Sequence, residues 1–325
     1  MSTLRESSSP SDLEPELSLV IPAFNEQNNL HKLYSELMNI LPSLNTTWEI
    51  IFSDDGSIDN TWGEIAALHR KDQRVSGVRL SRNFGHQYAL LAGLSHARGK
   101  AVITMDADMQ HPPETIQNLV AEWRKGNKIV HTIRQELKDL SPLKKITSRV
   151  FYRIWSFLSG IQIEGGMADF RLLDRQVLDT ILEFREEGLF LRGIVQWVGF
   201  PSSKVYFQCR ERHSGVSKYT FSKMFRFALE GITSFSIIPL RVGIFIGIIT
   251  SVISFVEIMY AIFAKLVLQT TVPGWASAVS ILSFLFGVMF ILLGLIGIYV
   301  GKLLVEVQRR PRFIVSESLG VFKKV

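Results

Sequence analysis

Ala101–Pro113 reads AVITMDADMQHPP, and its change of character at Asp106 decides the fold. Ala101-Val102-Ile103-Thr104-Met105 is an apolar run with the β-branched content of a buried parallel strand. Asp106-Ala107-Asp108 follows at once, with Gln110 and His111 close behind. Residues two apart in extended chain point to the same side. Asp106 and Asp108 can therefore face one point just past the carboxyl end of that strand, where open α/β sheets hold their ligands. Two carboxylates and the Gln110 amide form an all-oxygen set that suits Mg²⁺ or Mn²⁺. Such an ion would bind a diphosphate and neutralise charge as the diphosphate leaves. The plainer alternative is an acidic loop that caps the helix after Pro112-Pro113.

The flanking segments repeat the pattern of strand, polar loop and helix. Leu17–Pro22 reads as a buried strand, Ala23-Phe24-Asn25-Glu26 as the loop after it, and Asn28–Leu41 as a helix with Leu30, Leu33, Leu37, Ile40 and Leu41 at helical spacing. Trp48–Ser53 is a second strand, broken by Asp54-Asp55-Gly56-Ser57. Asp59 or Asn60 can cap the next helix, Thr61–Arg70. Val75–Leu80 is a third strand, Arg82-Asn83-Phe84-Gly85 a loop and Gln87–Ala97 a helix. Ile129–Thr132 adds a strand with Arg134 at its end, and Gly165–Leu173 a turn and short strand carrying Asp169 and Arg171. This alternation predicts an α/β domain with a doubly wound, mainly parallel sheet. Three polar loops, Phe24–Glu26, Asp54–Ser57 and Asp106–Gln110, then share one sheet edge, where a nucleotide could sit. The first strand is not followed by GxGxxG, which disfavours a dinucleotide fold, and the absence of GxxxxGK[ST] excludes a P-loop.

The rest of the chain has a different solvent. The 325 residues include 36 Lys and Arg against 30 Asp and Glu, a net charge of +6. The isoelectric point near 9.4 fits an anionic membrane surface or phosphate ligands. No nucleic-acid motif is present, so nucleic acid is not an expected partner. Cys209 is the single cysteine, which rules out an intrachain disulfide and agrees with a reducing compartment. Residues 1–16 are polar, without the apolar core of a signal peptide, and read as a disordered tail. A globular domain is expected over 17–218 and an interfacial amphipathic helix over 219–236, with Phe221, Phe225, Leu229 and Ile232 on one face. A transmembrane hairpin is expected over 237–301, with spans at about 242–264 and 275–300, since crossing the hydrocarbon takes roughly 20 residues. Lys218, Lys223, Arg226 and Arg241 precede the hairpin, and Lys302, Arg309, Arg310 and Arg312 follow it. Both ends are thus expected on the cytoplasmic side, with 302–325 as a basic cytoplasmic tail. Glu257 inside the first span is expected to face protein or another subunit, because an unpaired central acid costs about 2.5–3.5 kcal/mol. Gly287, Gly294, Gly297 and Gly301 permit close helix contact within the hairpin or in a homo-oligomer.

The loops resemble those of family 2 glycosyltransferases with a GT-A fold. Within that family they are similar to the polyprenyl-phosphate glycosyltransferases, namely bacterial bactoprenol glucosyltransferases and dolichol-phosphate mannose synthases. The matching residues are Ile21–Glu26, Asp54–Ser57 with Asp59, Arg82–Gly85, Asp106–Pro113, Ala168-Asp169-Phe170-Arg171-Leu172, and Arg212 through Gly215 to Ser217-Lys218-Tyr219. Gly297-Ile298-Tyr299 and Arg309-Arg310-Pro311 also match. Ser53 stands where the family usually has a branched aliphatic residue and Ala168 where it usually has glycine. Neither change removes a side chain that the chemistry needs.

The resemblance implies an inverting, membrane-bound hexosyltransferase that joins a sugar from a UDP-sugar, with glucose favoured, to an undecaprenyl-type polyprenyl phosphate. It implies a bacterial inner-membrane protein in contact with membrane lipids. Pro22, Phe24, Glu26, Asp54, Asp55 and Asp106 would bind the nucleotide sugar, and Asp106, Asp108 and Gln110 would hold Mg²⁺ or Mn²⁺. Arg134, Lys144, Ser148, Arg212, Ser217 and Lys218 would bind the acceptor phosphate. Asp108 and Asp169 occupy catalytic positions. Asp169 could act as a base, orient the acceptor, or pair with a cation such as Arg171. A GDP-mannose donor is the nearest alternative. A processive polysaccharide synthase is disfavoured because Gln196-Trp197 lacks the arginine of QxxRW and only two spans exist. A silent membrane scaffold is disfavoured by the intact Asp106, Asp108 and Asp169.

Overall fold

The structure is a computed structural model that describes residues 15–135, 166–184, 186, 191–210, 238–267 and 274–320. The chain divides into two units, one of Met1–Tyr152, Gln162–Lys218 and Pro311–Val325, the other of Arg153–Ile161 and Tyr219–Arg310.

The first unit is built on β1 (Leu17–Ala23), β2 (Trp48–Asp54), β3 (Val75–Leu80) and β4 (Ala101–Thr104). β1 and β2 are buried along their whole length, which is why both carry apolar residues on successive positions, and their buried Ser18 and Glu49 are hydrogen-bonded to each other. Helices α1 (Leu30–Ile40), α2 (Thr61–Lys71) and α3 (His86–His96) connect these strands, and α4 (Thr115–Arg124) follows β4. α1 turns Leu30, Leu33, Tyr34 and Leu37 into the core. α3 lies so close to β1 that a Cβ at Gly93 would stand 2.4 Å from Val20 Cγ1, so only glycine fits that position.

The chain then adds β5 (Ile129–Gln135), β6 (Met167–Asp174), α5 (Arg175–Glu183), α6 (Leu191–Trp197) and β7 (Ser202–Gln208). Asp174 caps α5 by accepting the Gln176 N–H. The strand order is β7-β5-β6-β4-β1-β2-β3-β8, where β8 is Val315–Leu319. Among these strands only β6 and β8 run against the rest. The doubly wound, mainly parallel sheet expected from the sequence is present. The carboxyl ends of β1, β2, β3, β4, β5 and β7 therefore meet on one edge, together with the start of β6.

The second unit contains α7 (Ile238–Leu266) and α8 (Trp275–Gln308). Both are long and apolar enough to cross a membrane, with mean hydropathy 1.9 over Leu240–Glu257 and 2.5 over Phe284–Gln308. Their apolar side chains stand exposed, among them Phe245, Phe255, Phe290 and Ile291. Gly243 admits Leu292 between the helices. Among the described residues, Cβ atoms added at Gly287, Gly294, Gly297 and Gly301 would meet nothing within 4 Å.

Two features differ from the sequence reading. α8 runs beyond the expected span to Gln308, and part of the expected basic tail, Val315–Leu319, pairs antiparallel with β3 as an edge strand. The expected amphipathic helix at 219–236 lies outside the described residues.

Candidate active site

Each loop at the sheet edge is held by a neighbour. Asp54 ends β2, fully buried, and its Oδ1 accepts the Ser57 N–H at 3.0 Å. Ser57 Oγ accepts the Asn25 N–H at 2.9 Å, and Asn25 Oδ1 accepts the Ile58 N–H at 3.0 Å. The loops after β1 and β2 are thus tied together, and Asn25 takes the left-handed φ of 57° that this tie requires. Asp55 accepts the amides of Phe84 and Gly85, which fixes the loop after β3. Burial pushes both aspartate carboxyls up, while these hydrogen bonds pull them back. Pro22 is buried in β1, Glu26 accepts from the Asn29 amide at 2.5 Å, and Phe24 is 43% exposed beside them.

The loop after β4 carries Asp106, Asp108 and Gln110. His111 Nδ1 accepts the Asp106 N–H at 3.1 Å. The His111 ring stacks on Phe170 with centroids 4.9 Å apart and meets the edge of Phe207. Asp108 Oδ1 accepts the Gln110 N–H at 3.1 Å, and Met109 between them has φ 65°. The Gln110 carbonyl accepts the Arg210 N–H from the end of β7. Arg210 also reaches Glu36 at 2.6 Å and Glu114 at 2.8 Å. The donor chemistry fits a hard cation: Asp106 is partly exposed, and Mg²⁺ is commonly held by one or two carboxylates with substrate phosphates completing the shell. Among the described residues no three His, Cys, Asp or Glu side chains gather into a ready-made metal cage.

Asp169 sits at the start of β6, next to the carboxyl end of β4, where Thr104 Oγ1 donates to its carbonyl. Its carboxylate is 6% exposed and carries two cations. Arg171 Nη2 reaches Oδ1 at 2.6 Å, while Arg192 Nε and Nη2 reach Oδ1 and Oδ2 at 2.9 and 2.7 Å. Burial pushes this carboxyl up, but Arg192 and Arg171 more than reverse the effect and hold it well below the usual carboxylate range. Of the three roles left open by the sequence, the structure shows the ion pair with Arg171. Behind it, His131 is buried next to Gln196, and burial with the Arg171 and Lys204 charges pushes its pKa down to about 3.

Two residues of this site escape the sequence reading. His86, the first residue of α3, bridges the two acidic centres, 3.5 Å from Asp106 Oδ1 and 3.9 Å from Asp169 Oδ2. It falls between the loop read as Arg82–Gly85 and the helix read from Gln87. Arg192 is the other, and a lone arginine in Leu189-Phe190-Leu191-Arg192-Gly193-Ile194-Val195 is the only signal the sequence offers for it. Arg134 is exposed at the end of β5, as expected. Lys144, Ser148, Arg212, Ser217 and Lys218 lie outside the described residues.

A sheet that gathers carboxylates, histidine and arginine at the carboxyl ends of its parallel strands has them where open α/β folds hold their ligands. The chain belongs to glycosyl transferase family 2, whose model matches residues 18–182. It is 40% identical over 306 residues to an uncharacterized glycosyltransferase of Synechocystis sp., covering 94% of this chain and 96% of that one. It is 38% identical over 302 residues to the SfII prophage-derived bactoprenol glucosyl transferase of Shigella flexneri, covering 93% and 98%. Among solved structures, mannosyl-3-phosphoglycerate synthase of Rubrobacter xylanophilus is similar at TM-score 0.46, with 15% identity over 66% of this chain and 71% of that one. The chain is a glycosyltransferase.

Proposed function

We propose that this enzyme transfers a hexose, glucose from UDP-glucose, to the phosphate of an undecaprenyl-type polyprenyl phosphate at the cytoplasmic face of a bacterial inner membrane. The observation that carries this reading is the union, in one chain, of the family 2 sheet edge with a pair of exposed apolar helices. A lipid acceptor explains that union, whereas a water-soluble acceptor would need no such helices. The similarity to bactoprenol glucosyl transferases runs through nearly the whole chain, helices included.

In this reading Phe24 offers an exposed aromatic face to the base, with Pro22, Glu26, Asp54 and Asp55 shaping the pocket around it. Asp106, Asp108 and Gln110 hold Mg²⁺ or Mn²⁺ on the diphosphate. When bound, the ion supplies charge neutralisation for the departing nucleoside diphosphate. The acceptor phosphate has a second pKa near 6, so it is mostly dianionic at neutral pH and needs no strong base to attack the anomeric carbon. Catalysis then rests on positioning and electrostatics, and direct attack gives inversion. Arg134, Lys144, Ser148, Arg212, Ser217 and Lys218 bind the acceptor phosphate. Asp169, clamped by two guanidinium groups, serves as an anchor for cations and not as a proton acceptor.

The test is transfer of labelled glucose from UDP-glucose to polyprenyl phosphate by the purified protein in detergent, with GDP-mannose as competitor donor. Transfer that requires a divalent ion and vanishes in Asp106→Asn supports the reading. Equal activity of wild type and Asp106→Asn overturns it.

A further inference from the structure

The edge strand β8 lies far outside the residues that match the family model, yet one of its side chains reaches toward the donor loops. Glu317 on β8 is in register with Arg79 on β3, and Arg79 is in register with Asp54 on β2. The side chains follow the same line. Arg79 Nη1 meets Glu317 Oε1 at 2.8 Å, and Arg79 Nε stands 3.5 Å from Asp54 Oδ2. Glu317 is itself oriented by a second donor, since the Trp62 Nε1–H donates a hydrogen bond to Oε2 at 2.9 Å. The strand is seated independently by Phe313, which packs on Leu80, Ala89 and Ala92, and by the Ser81 N–H donated to the Ile314 carbonyl.

Asp54 makes this row functional. Among the described residues its buried Oδ2 has no hydrogen-bond partner, and the Arg79 guanidinium faces it at 3.5 Å. Its Oδ1 holds Ser57, Ser57 holds Asn25, and Asn25 is the neighbour of Phe24. A continuous path of polar contacts thus runs from Glu317 to the loop that carries Phe24. Arg79 is a long, rotamer-rich side chain that also lies over the Trp62 ring at 5.9 Å, and Glu317 is the second carboxylate that fixes its guanidinium beside Asp54.

We propose that Glu317 is a positioning residue for the nucleotide of the donor: it aims Arg79 at Asp54 and thereby sets the Phe24–Ser57 loops for a nucleoside diphosphate. The inference rests on the reading of those loops as the donor site. It makes β8, which follows the last apolar helix in sequence, a working part of the enzyme and not an edge cover alone.

The experiment measures UDP affinity by calorimetry, and steady-state KM and kcat with UDP-glucose and polyprenyl phosphate, on the full chain in detergent. Glu317 is half exposed, so Glu317→Gln should keep the fold. The expected result is UDP binding weakened about three- to fivefold, the ceiling for a partly exposed ion pair. Donor KM rises by the same factor, while kcat and acceptor KM stay within twofold. Ser318→Ala, on the same strand, leaves UDP affinity unchanged. Wild-type UDP affinity in both Glu317→Gln and Glu317→Ala overturns the proposal. So does a fall in kcat and a rise in both KM values in step with a lowered melting temperature, which is the signature of strand loss. Failure of the wild-type protein to bind UDP or GDP at all overturns the donor reading, and this inference with it.

Discussion

Arg192 grips Asp169 as a fork, with Nε on Oδ1 at 2.9 Å and Nη2 on Oδ2 at 2.7 Å. With Arg171 on Oδ1 as well, the two carboxylate oxygens accept from both guanidinium groups. A carboxylate so engaged is a poor proton acceptor. It is a good anchor, because it fixes the orientation of two arginines next to His86 and Asp106.

Asp169→Asn leaves both guanidinium groups without their counter-ion, and breaking a buried pair in this way costs about 3–5 kcal/mol. The expected outcome is loss of both activity and stability. Arg192→Lys keeps the charge and loses the fork, so the fold should persist while the transfer rate drops about tenfold. The folded carboxyl lies below its unfolded value, so its contribution to stability is present above the unfolded pKa and is lost as pH falls below it. Between pH 5 and 8 the rate should therefore carry no titration of Asp169. A limb of the wild-type rate in that window that Arg192→Lys moves would contradict the anchor role.

His131 gives stability a pH dependence of the same sign as Asp169, but at higher pH. Its folded pKa is pushed down to about 3, while an unfolded histidine titrates near 6.5. The unfolded chain binds more protons between these values, so stability falls as pH drops from 6.5 toward 3. Each pH step of one below 6.5 then removes about 1.4 kcal/mol, so the wild type should lose about 2 kcal/mol between pH 7 and pH 5. Thermal melts should show His131→Gln less sensitive over that range, at some cost in stability at pH 7. Parallel melting curves for the two proteins would show that His131 does not carry the effect.

Gly56 is where the loops after β2 and β3 come closest. It has φ +68°, and an added Cβ would stand 2.4 Å from the Arg82 carbonyl carbon, a backbone atom that cannot swing aside. Gly56→Ala therefore combines left-handed strain with a backbone clash and should destabilise the fold by about 1–3 kcal/mol. It should also raise donor KM, since the displaced segment is the one that Asp54 and Ser57 hold. An unchanged melting temperature and donor KM would show that the loops do not depend on this contact.

The sheet edge is legible in the sequence because its strands are buried on both faces. Leu17–Ala23 and Trp48–Asp54 centre on the short apolar runs Leu19-Val20-Ile21 and Ile50-Ile51-Phe52 and are followed by polar loops. β7 is not legible: Ser202–Gln208 buries only Val205 and Phe207, and its sequence resembles any polar connector. β8 is more hidden still, since Val315–Leu319 is mostly polar and exposed and owes its conformation to pairing with β3. In the site, Asp106, Asp108 and Asp169 announce themselves by motif. His86 and Arg192 do not, because their roles come from β4, β6, α3 and α6 converging, which local spacing cannot express.

The loop after β4, proposed above to hold the metal, offers the sharpest separation of site from scaffold. His111 does two things: its ring packs between Phe170 and Phe207, and its Nδ1 accepts the Asp106 N–H. His111→Phe keeps an aromatic ring of similar size in that stack and removes the Nδ1 acceptor together with Nε2, which stands 3.9 Å from Asp106 Oδ2. The Asp106 backbone then loses its tether, and Asp106 is the first carboxylate of the pair. Loss of a residue that orients a metal ligand typically costs about 10–100-fold in metal affinity or activity. The expected outcome is a melting temperature near wild type, a Mn²⁺ activation constant raised at least tenfold, and full or nearly full rate at saturating Mn²⁺. Asp106→Asn behaves differently, because it removes a donor and not its support, so added Mn²⁺ should not restore the rate. If His111→Phe has the wild-type Mn²⁺ activation constant, His111 is a packing residue alone and the Asp106 carboxylate is held by other means.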